Sequence, residues 1–590
     1  MTLTDELSSI VGDAFEANGF DRKFGQVRVS DRPDLCQFQC NGALAVAKSE
    51  GRNPREIGQL VLDRLVGHNS IEHVALAGPG FLNFDLNDEF LGEKLKAVAS
   101  TESLGAYGAS NKEKIVIDYG GPNVAKPLHV GHLRSAIIGE ALKGILRLAG
   151  HEVTGDIHLG DWGLQMGQLI SELAVRQPDL VYFDPAYIGP YPEEPPITLK
   201  DLEELYPIAS AACKADNARA EQARVATQEL QTGRAGYRAL WRHFVDLSIA
   251  DMKNNYADLS VEFDVWKGEA DADPYIEEMV KDLEAKSLVE LSDGAKIIRV
   301  SRESDKKEVP PVILVNSKGA VGYHATDIAT ILDRKKNHDP DRILYVVDNR
   351  QALHFEQLYR VADAAGYFPE ERLEHLGFGT MNGPDKKPFK TREGGVLKLR
   401  DLIDLVTEKA RERLASSGFS DDYTEEEMAL IPQQIGVAAL KFADLSNPRT
   451  TDYVFDLERF VAFEGKTGPY LLYAVVRVDA VLSKAAKEDL ATVEGGLDFV
   501  FQKEEERRVA LTLLEFADAM RSSIDKRLPH ILCEHAYTLA QNFSKFYAAC
   551  RISDEADRSA RLTRIALSIA VKRQLSVILK AMAIPVPARM

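Results

Sequence analysis

The spacing of hydrophobic and polar positions changes several times along the chain, and each change marks an element. Lys114, Ile115, Val116, Ile117 and Asp118 form a short apolar run rich in β-branched residues, which predicts a buried strand. After a loop, Leu133, Ile137, Ala141, Leu142, Ile145 and Leu146 recur at helical spacing until Gly150, which predicts a helix with a glycine stop. A further strand is predicted at residues 152–157, and parallel strands with helices between them at 312–315, 343–347 and 376–379. Upstream, residues 1–105 read as a separate small α+β domain. It has a helix carrying Leu7, Ile10, Val11, Ala14 and Phe15, and helical stretches at 43–48 and 57–66. A Gly78-Pro79-Gly80 turn then leads into a strand at 81–84. Residues 105–110 read as a linker. Residues 171–310 interrupt the alternating strands and helices. Five prolines between 182 and 196 predict an irregular excursion, and 201–259 is charged and helical in pattern. From 406 to 590 the pattern is helical throughout.

At 590 residues the chain is long enough for several domains, each with its own core. No apolar run is long enough to span a membrane, and no charged-then-apolar leader pattern opens the sequence. The cysteines, Cys36, Cys40, Cys213, Cys533 and Cys550, include no CxxC pair, so neither a disulfide framework nor a zinc site is expected. These features point to a cytoplasmic protein without membrane partners. A net charge of −19 argues against broad, unspecific nucleic-acid binding. It leaves room for a specific RNA met by local basic patches. Residues 558–590 hold seven Lys and Arg and no Asp or Glu. With Phe543, Phe546 and Tyr547 nearby, that charge suits stacking on single-stranded bases beside phosphates, although most charge runs are solvated helix faces.

The candidate chemistry gathers in residues 122–132, PNVAKPLHVGH, between the first strand and its helix. A strand–loop–helix junction offers free backbone N–H groups and the positive end of a helix dipole, which suits a phosphate. His129 and His132 lie three apart, so both can face one anion, and Gly131 lets a ring or phosphate approach the backbone. A bare HxGH would read equally well as helix capping. Pro122, Asn123, Lys126 and Pro127 in a fixed frame after a strand favour the nucleotide reading. Gly160, Asp161, Trp162, Gly163 and Gln165 form a second glycine-rich turn at the mouth of the sheet.

This loop resembles the HIGH motif of the class I aminoacyl-tRNA synthetases, and in particular the arginyl-tRNA synthetases of bacterial type. His129-Val130-Gly131-His132 stands for HIGH, with Asn123 and Ala125-Lys126-Pro127 upstream and Leu133-Arg134-Ser135 downstream. Residues 441–459 and 463–477 resemble the family's helical anticodon domain. The resemblance implies a Rossmann-like α/β catalytic domain at 106–405 with a connective insertion at 171–310. It implies a tRNA-contacting N-terminal domain at 1–105 and an all-α anticodon-binding bundle at 406–590. The implied activity is arginine–tRNA ligation, in which ATP, L-arginine and tRNA give arginyl-tRNA, AMP and diphosphate through an arginyl-adenylate. The resemblance also implies Mg²⁺ accompanying the nucleotide, no metal held by the protein, and a monomeric chain.

By the same resemblance His129, His132, Lys126, Lys387 and Lys390 are catalytic. Pro122, Gly131, His129, His132 and His354 bind ATP, and Tyr547 and Met590 touch tRNA. A guanidinium needs carboxylates and other acceptors in a fixed geometry, and the family's arginine contacts fall on Asp118, Asn123, Tyr323, Asp327 and Gln351. Tyr323 and Asp327 are four apart on a helical turn; without the resemblance Asp327 reads as a helix-start charge. The sequence departs from the family at Asp118, often Glu, and at Gly120-Gly121, often serines. The KMSKS loop appears in degenerate form as Lys387-Pro-Phe-Lys390-Thr-Arg392, in a register that leaves open which lysine acts. A non-catalytic tRNA-binding relative would be expected to have lost part of this set.

Overall fold

The computed structural model describes the chain from Thr2 to Met590 apart from Pro33, Lys318, Pro384, Lys386, residues 388–396, Phe419, Asp421 and Ser553. It divides into two compact units. One comprises residues 110–461 with 583–585, and the other residues 1–109, 462–582 and 586–590.

The first unit is built on a five-stranded parallel sheet. Across it run Leu373–His375, Arg342–Val346, Lys114–Tyr119, Glu152–Leu159 and Val265–Gly268. Ile115, Val116 and Ile117 are buried in succession, so both faces of their strand are covered, as a parallel sheet requires. From Lys114–Tyr119 the chain winds outward through Glu152–Leu159 to Val265–Gly268. It then returns to the other flank of its first strand. The winding therefore reverses at Lys114–Tyr119 and Arg342–Val346, and the crevice beyond their C-terminal ends is where such sheets bind ligands.

The helix predicted after the first strand spans Val130–Leu148. Two residues of the motif fasten it. The Ser135 hydroxyl accepts the Gly120 N–H at 2.8 Å and donates to the Val346 carbonyl at 2.6 Å, joining the ends of the two central strands. Arg134 is buried, with Nε 3.0 Å from Asp444 on helix Glu425–Leu445 and Nη1 3.0 Å from the Thr451 carbonyl. The insertion expected at 171–310 is shorter in the structure. Val265–Gly268 within that span is the edge strand of the sheet, four residues including Lys267 and so too short to show an apolar run. The excursion that precedes it contains helices Leu199–Ala215, Asn217–Gln231 and Ala235–Asp258.

Two of the expected parallel strands differ. Val312–Val315 pairs antiparallel with Ala295–Ile298, which pairs with Glu290–Ser292 in a separate three-stranded sheet. Val312 and Leu314 are buried while Ile313 is 46% exposed, the one-sided burial typical of an antiparallel strand. Four apolar residues in a row conceal that difference, because each is hydrophobic whichever way it faces. The strand expected at 376–379 lies earlier, at Leu373–His375. Leu376 and Phe378 are buried because the chain leaving the sheet packs inward, and Phe378 makes only an isolated bridge with Asp348. Within the helical stretch from 406, the two residues Tyr453–Val454 pair with Met381–Asn382, a strand too short to carry a period.

The second unit contains an antiparallel sheet in the order Val27–Val29, Phe38–Cys40, Phe81–Leu86 and Ile71–Ala77, with helices Leu3–Glu16, Gly42–Glu50 and Pro54–Leu65. It also holds helices from Gly468–Leu482 to Arg558–Ala581. The two ends of the chain meet inside it. Arg521 pairs with Asp5 at 2.6 Å, and Arg507 reaches the Leu86 carbonyl at 2.9 Å. Arg573 bonds the carbonyls of Ala99 at 3.0 Å and Thr101 at 3.1 Å.

Candidate active site

The histidine loop is fixed from several sides. Val124 N–H bonds the Gly160 carbonyl at 3.0 Å, and Gly160 N–H bonds the Pro122 carbonyl at 3.1 Å, so the loop starts beside the exit of the next strand. A Cβ on Gly121 would stand 2.1 Å from the His158 carbonyl oxygen, so this position has no room for a serine unless the backbone shifts. Ala125 sits in the left-handed region at φ +63°, and its N–H is accepted by Ser248 on helix Ala235–Asp258 at 3.0 Å. Further on, Val130 N–H bonds the Leu397 carbonyl at 3.1 Å, and Leu399 N–H bonds the Leu128 carbonyl at 2.9 Å.

His129 caps the helix. Its Nδ1 accepts the Gly131 N–H at 3.0 Å, and Nδ1 of His132 accepts the His129 N–H at 3.2 Å. With both Nδ1 atoms accepting, each neutral ring carries its proton on Nε2. The ring centroids are 3.9 Å apart. A Cβ on Gly131 would lie 2.7 Å from the His129 ring, so glycine is what lets that ring fold back over its own backbone. Burial and then the Lys126 charge hold His129 below its ordinary pKa. Burial, His129 and Lys126 push His132 down to about 3. The loop thus offers two neutral N–H donors and one ammonium, a set suited to an anion that gains charge.

A second group forms around the start of helix Tyr323–His338. Tyr323 is 64% exposed at its first turn, with its ring 5.2 Å from that of His354. Asp327 Oδ2 lies 2.6 Å from His354 Nε2. His354, expected among the nucleotide contacts, is thus drawn to the Tyr323–Asp327 group. Gln351 is exposed in the turn Asn349–Gln351 that follows the central strand Arg342–Val346, and Asn123 is exposed in the histidine loop.

Asp118, expected as the second carboxylate for a guanidinium, has an internal cation instead. Arg334 Nη2 lies 2.5 Å from Asp118 and 2.7 Å from Asp156, and its Nε donates to Asp156 at 2.8 Å. Sequence spacing could not reveal this, because Arg334 is 216 residues away on the helix covering the strand.

A carboxylate missed in the sequence lies close enough to Asp327 to feel its charge. Glu269 opens helix Glu269–Ala285 at the end of strand Val265–Gly268, and its carboxylate accepts the Trp162 N–H at 3.3 Å. Burial raises its pKa, and the nearby charge of Asp327 raises it further. No Lys or Arg pairs with Glu269 among the described residues. It is one acid of several in the run 269–273, and only its position at a strand end sets it apart. Asp161, from the glycine-rich turn, accepts the Ala270 N–H at 3.0 Å and so holds the start of the same helix; burial pushes its pKa up to about 7.

Among the expected loop cations, Lys387 is exposed, with its carbonyl accepting the Gly383 N–H at 2.7 Å; Lys390 lies outside the described residues. On helix His530–Ala549, Phe543 and Phe546 are in the core, 1% and 0% exposed, and so are not available to stack on bases. Tyr547 is half-buried, with the Arg477 guanidinium 4.3 Å from its ring centre. Much of the basic stretch is paired internally. Arg558 and Arg561 face Asp489, Arg564 pairs with Glu506 and Glu555, and Lys572 pairs with Asp479. Met590 is half-buried.

A parallel sheet that reverses its winding beside an HxGH helix start fits a class I aminoacyl-tRNA synthetase, and residues 94–457 match the family described as tRNA synthetases class I (R), catalytic domain. Residues 1–86 match the arginyl tRNA synthetase N terminal domain and 471–590 the DALR anticodon binding domain. The chain is 52% identical to an arginine–tRNA ligase of Hyphomonas neptunium and 48% identical to that of Maricaulis maris, each over the full length of both chains. It belongs to the arginyl-tRNA synthetase family. The same fold is seen across the full length of both chains in the arginyl-tRNA synthetases of Plasmodium falciparum, at TM-score 0.84, and Thermus thermophilus, at 0.78, each 21% identical.

Proposed function

We propose that this chain ligates arginine to its tRNA in two steps, with the histidine loop as the nucleotide side of the site and the Tyr323–Asp327 group as the amino-acid side. The observation that carries this reading is the pairing of two neutral Nε2–H imidazoles and Lys126 in the family's motif with two neighbouring carboxylates, Asp327 and Glu269, that lack a Lys or Arg partner among the described residues. In the first step the arginine carboxylate attacks the α-phosphorus of ATP. A new P–O bond forms, the bond to the β-phosphate oxygen breaks, and diphosphate leaves. His129 and His132 donate to the phosphate oxygens as charge grows, with Lys126 and the lysines at 387 and 390 supplying cations. Pro122 and Gly131 shape the loop under the nucleotide. Little proton transfer is required, so positioning does most of the work.

The guanidinium is held by Asp327 and Glu269 and covered by Tyr323; Asn123 and Gln351 orient the amino and carboxylate groups. Asp118 contributes through Arg334. The side chains around the histidine pair are cations and neutral donors, which do not fit a protein-held Mg²⁺. Mg²⁺ therefore arrives with the triphosphate, and no step is assigned to a metal held by the chain. In the second step the terminal ribose 2′-hydroxyl takes the arginyl group. Tyr547, beside Arg477, offers a stacking face for a single-stranded base, with Met590 as a further RNA contact. The working species is a monomer.

ATP–diphosphate exchange with each amino acid, with and without total tRNA, tests the reading. Exchange with arginine alone, and only with tRNA present, is the expected result. Exchange with a different amino acid would overturn the pocket assignment. No exchange under any condition, with tRNA binding intact, would leave a tRNA-binding relative that does not catalyse.

A further inference from the structure

The insertion touches the histidine loop at two places and Lys398, bridged to His129, at a third, and two of the three contacts carry charge. The Lys126 ammonium lies 4.5 Å from the centre of the Tyr206 ring. Lys398, which follows the Leu397 carbonyl bonded to Val130, reaches Glu203 at 2.8 Å. Glu203 and Tyr206 are three apart on helix Leu199–Ala215, so one face of that helix meets both cations. Pro207 sits inside the helix and removes the N–H that would bond the Glu203 carbonyl. The remaining contact is Ser248, which holds the left-handed Ala125 next to Lys126.

We infer that helix Leu199–Ala215 is a positioning element for the nucleotide side of the site, with Tyr206 holding the Lys126 ammonium in place by its ring face and Glu203 steadying Lys398 behind His129. The inference rests on the synthetase reading above and goes beyond it, because that reading assigns the insertion no part in the first step. A lysine side chain has many rotamers, and an ammonium free to leave the site would have to be ordered again in every cycle. An aromatic face fixes it without neutralising its charge, as a carboxylate would. Tyr206 touches no reacting atom in this scheme and acts through Lys126.

The test uses the full chain and compares Tyr206→Phe, Tyr206→Leu, Lys126→Ala and the Tyr206→Leu/Lys126→Ala pair in arginine-dependent exchange with tRNA present. Tyr206→Leu is expected to lower kcat about tenfold with the KM for arginine unchanged, while Tyr206→Phe, which keeps the ring face, stays within about twofold of the parent. In the Lys126→Ala background the Leu substitution is expected to add nothing, and Glu203→Gln to act in the same direction as Tyr206→Leu. Melting temperatures of all variants separate this from unfolding, and the Phe variant controls for volume. If Phe were as impaired as Leu, if Leu matched the parent, or if the two losses multiplied in the double variant, the positioning role would be overturned. A parent chain silent with arginine would overturn the synthetase reading itself, and this inference with it.

Discussion

In the function proposed, Glu269 is a carboxylate prepared for a cation that arrives later. It is half-buried and feels the charge of Asp327, and it has no Lys or Arg partner among the described residues. A bound guanidinium would relieve both burial and repulsion. Glu269→Gln keeps the shape and removes the charge. It should lower kcat/KM for arginine about ten- to hundredfold, since hydrogen bonds to charged groups contribute about 1.5–3 kcal/mol, and leave the KM for ATP unchanged. Steady-state exchange at varied arginine checks this. His132 makes a prediction of a different kind. Its folded pKa, about 3, lies below the ordinary 6.5. As pH falls through 6.5 the unfolded chain takes up a proton that the folded chain refuses. The stability contributed by the neutral ring is therefore complete above 6.5 and is lost progressively as pH falls toward 3. His132→Gln removes that dependence. Urea midpoints at about pH 7 and about pH 5 should fall further for the parent than for the variant.

Elements show what a hydrophobic pattern can carry. The first strand was legible as an unbroken apolar run, and its helix as a long period whose apolar positions are buried. Ser135 and Arg134, readable only as part of a motif, turn out to fasten that helix to the strand ends and to helix Glu425–Leu445. Val312–Val315 was legible as a strand but not as an antiparallel one, since its partners are short and polar in part. The group proposed for the arginine side was half legible. Tyr323 and Asp327 share a helical turn that spacing reveals, whereas Asp118 is held by a cation and Glu269 is supplied by an element far along the chain. The Arg134–Asp444 link also carries a prediction. Both side chains are buried, at 2% and 0% exposure. Asp444→Ala leaves a guanidinium unpaired in the interior, and should destabilise the sheet-bearing unit by about 3–5 kcal/mol, visible as a lowered denaturant midpoint.

At the scale of the whole molecule, charge and connectivity matter more than any single contact. The chain is strongly acidic, and four of the seven basic residues near its end pair with its own acids, so a count of basic residues overstates the positive surface left for RNA. The apolar period of helix His530–Ala549 likewise takes Phe543 and Phe546 inward and leaves Tyr547 as the ring within reach of Arg477. The unit assembled from residues 1–109 and 462–582 has a further consequence, which concerns time. Asp5 and Arg521, or Leu86 and Arg507, are separated by several hundred residues of sequence. On the ribosome, at about 5–20 residues per second, the first domain must wait tens of seconds for the helices that complete its packing. Throughout that interval the face that meets those helices has no native partner, while the sheet between can already close. Newly made chains are therefore most exposed to aggregation and to chaperones before their last helix emerges, and a truncation near the C-terminus would leave the N-terminus as the part without its partner.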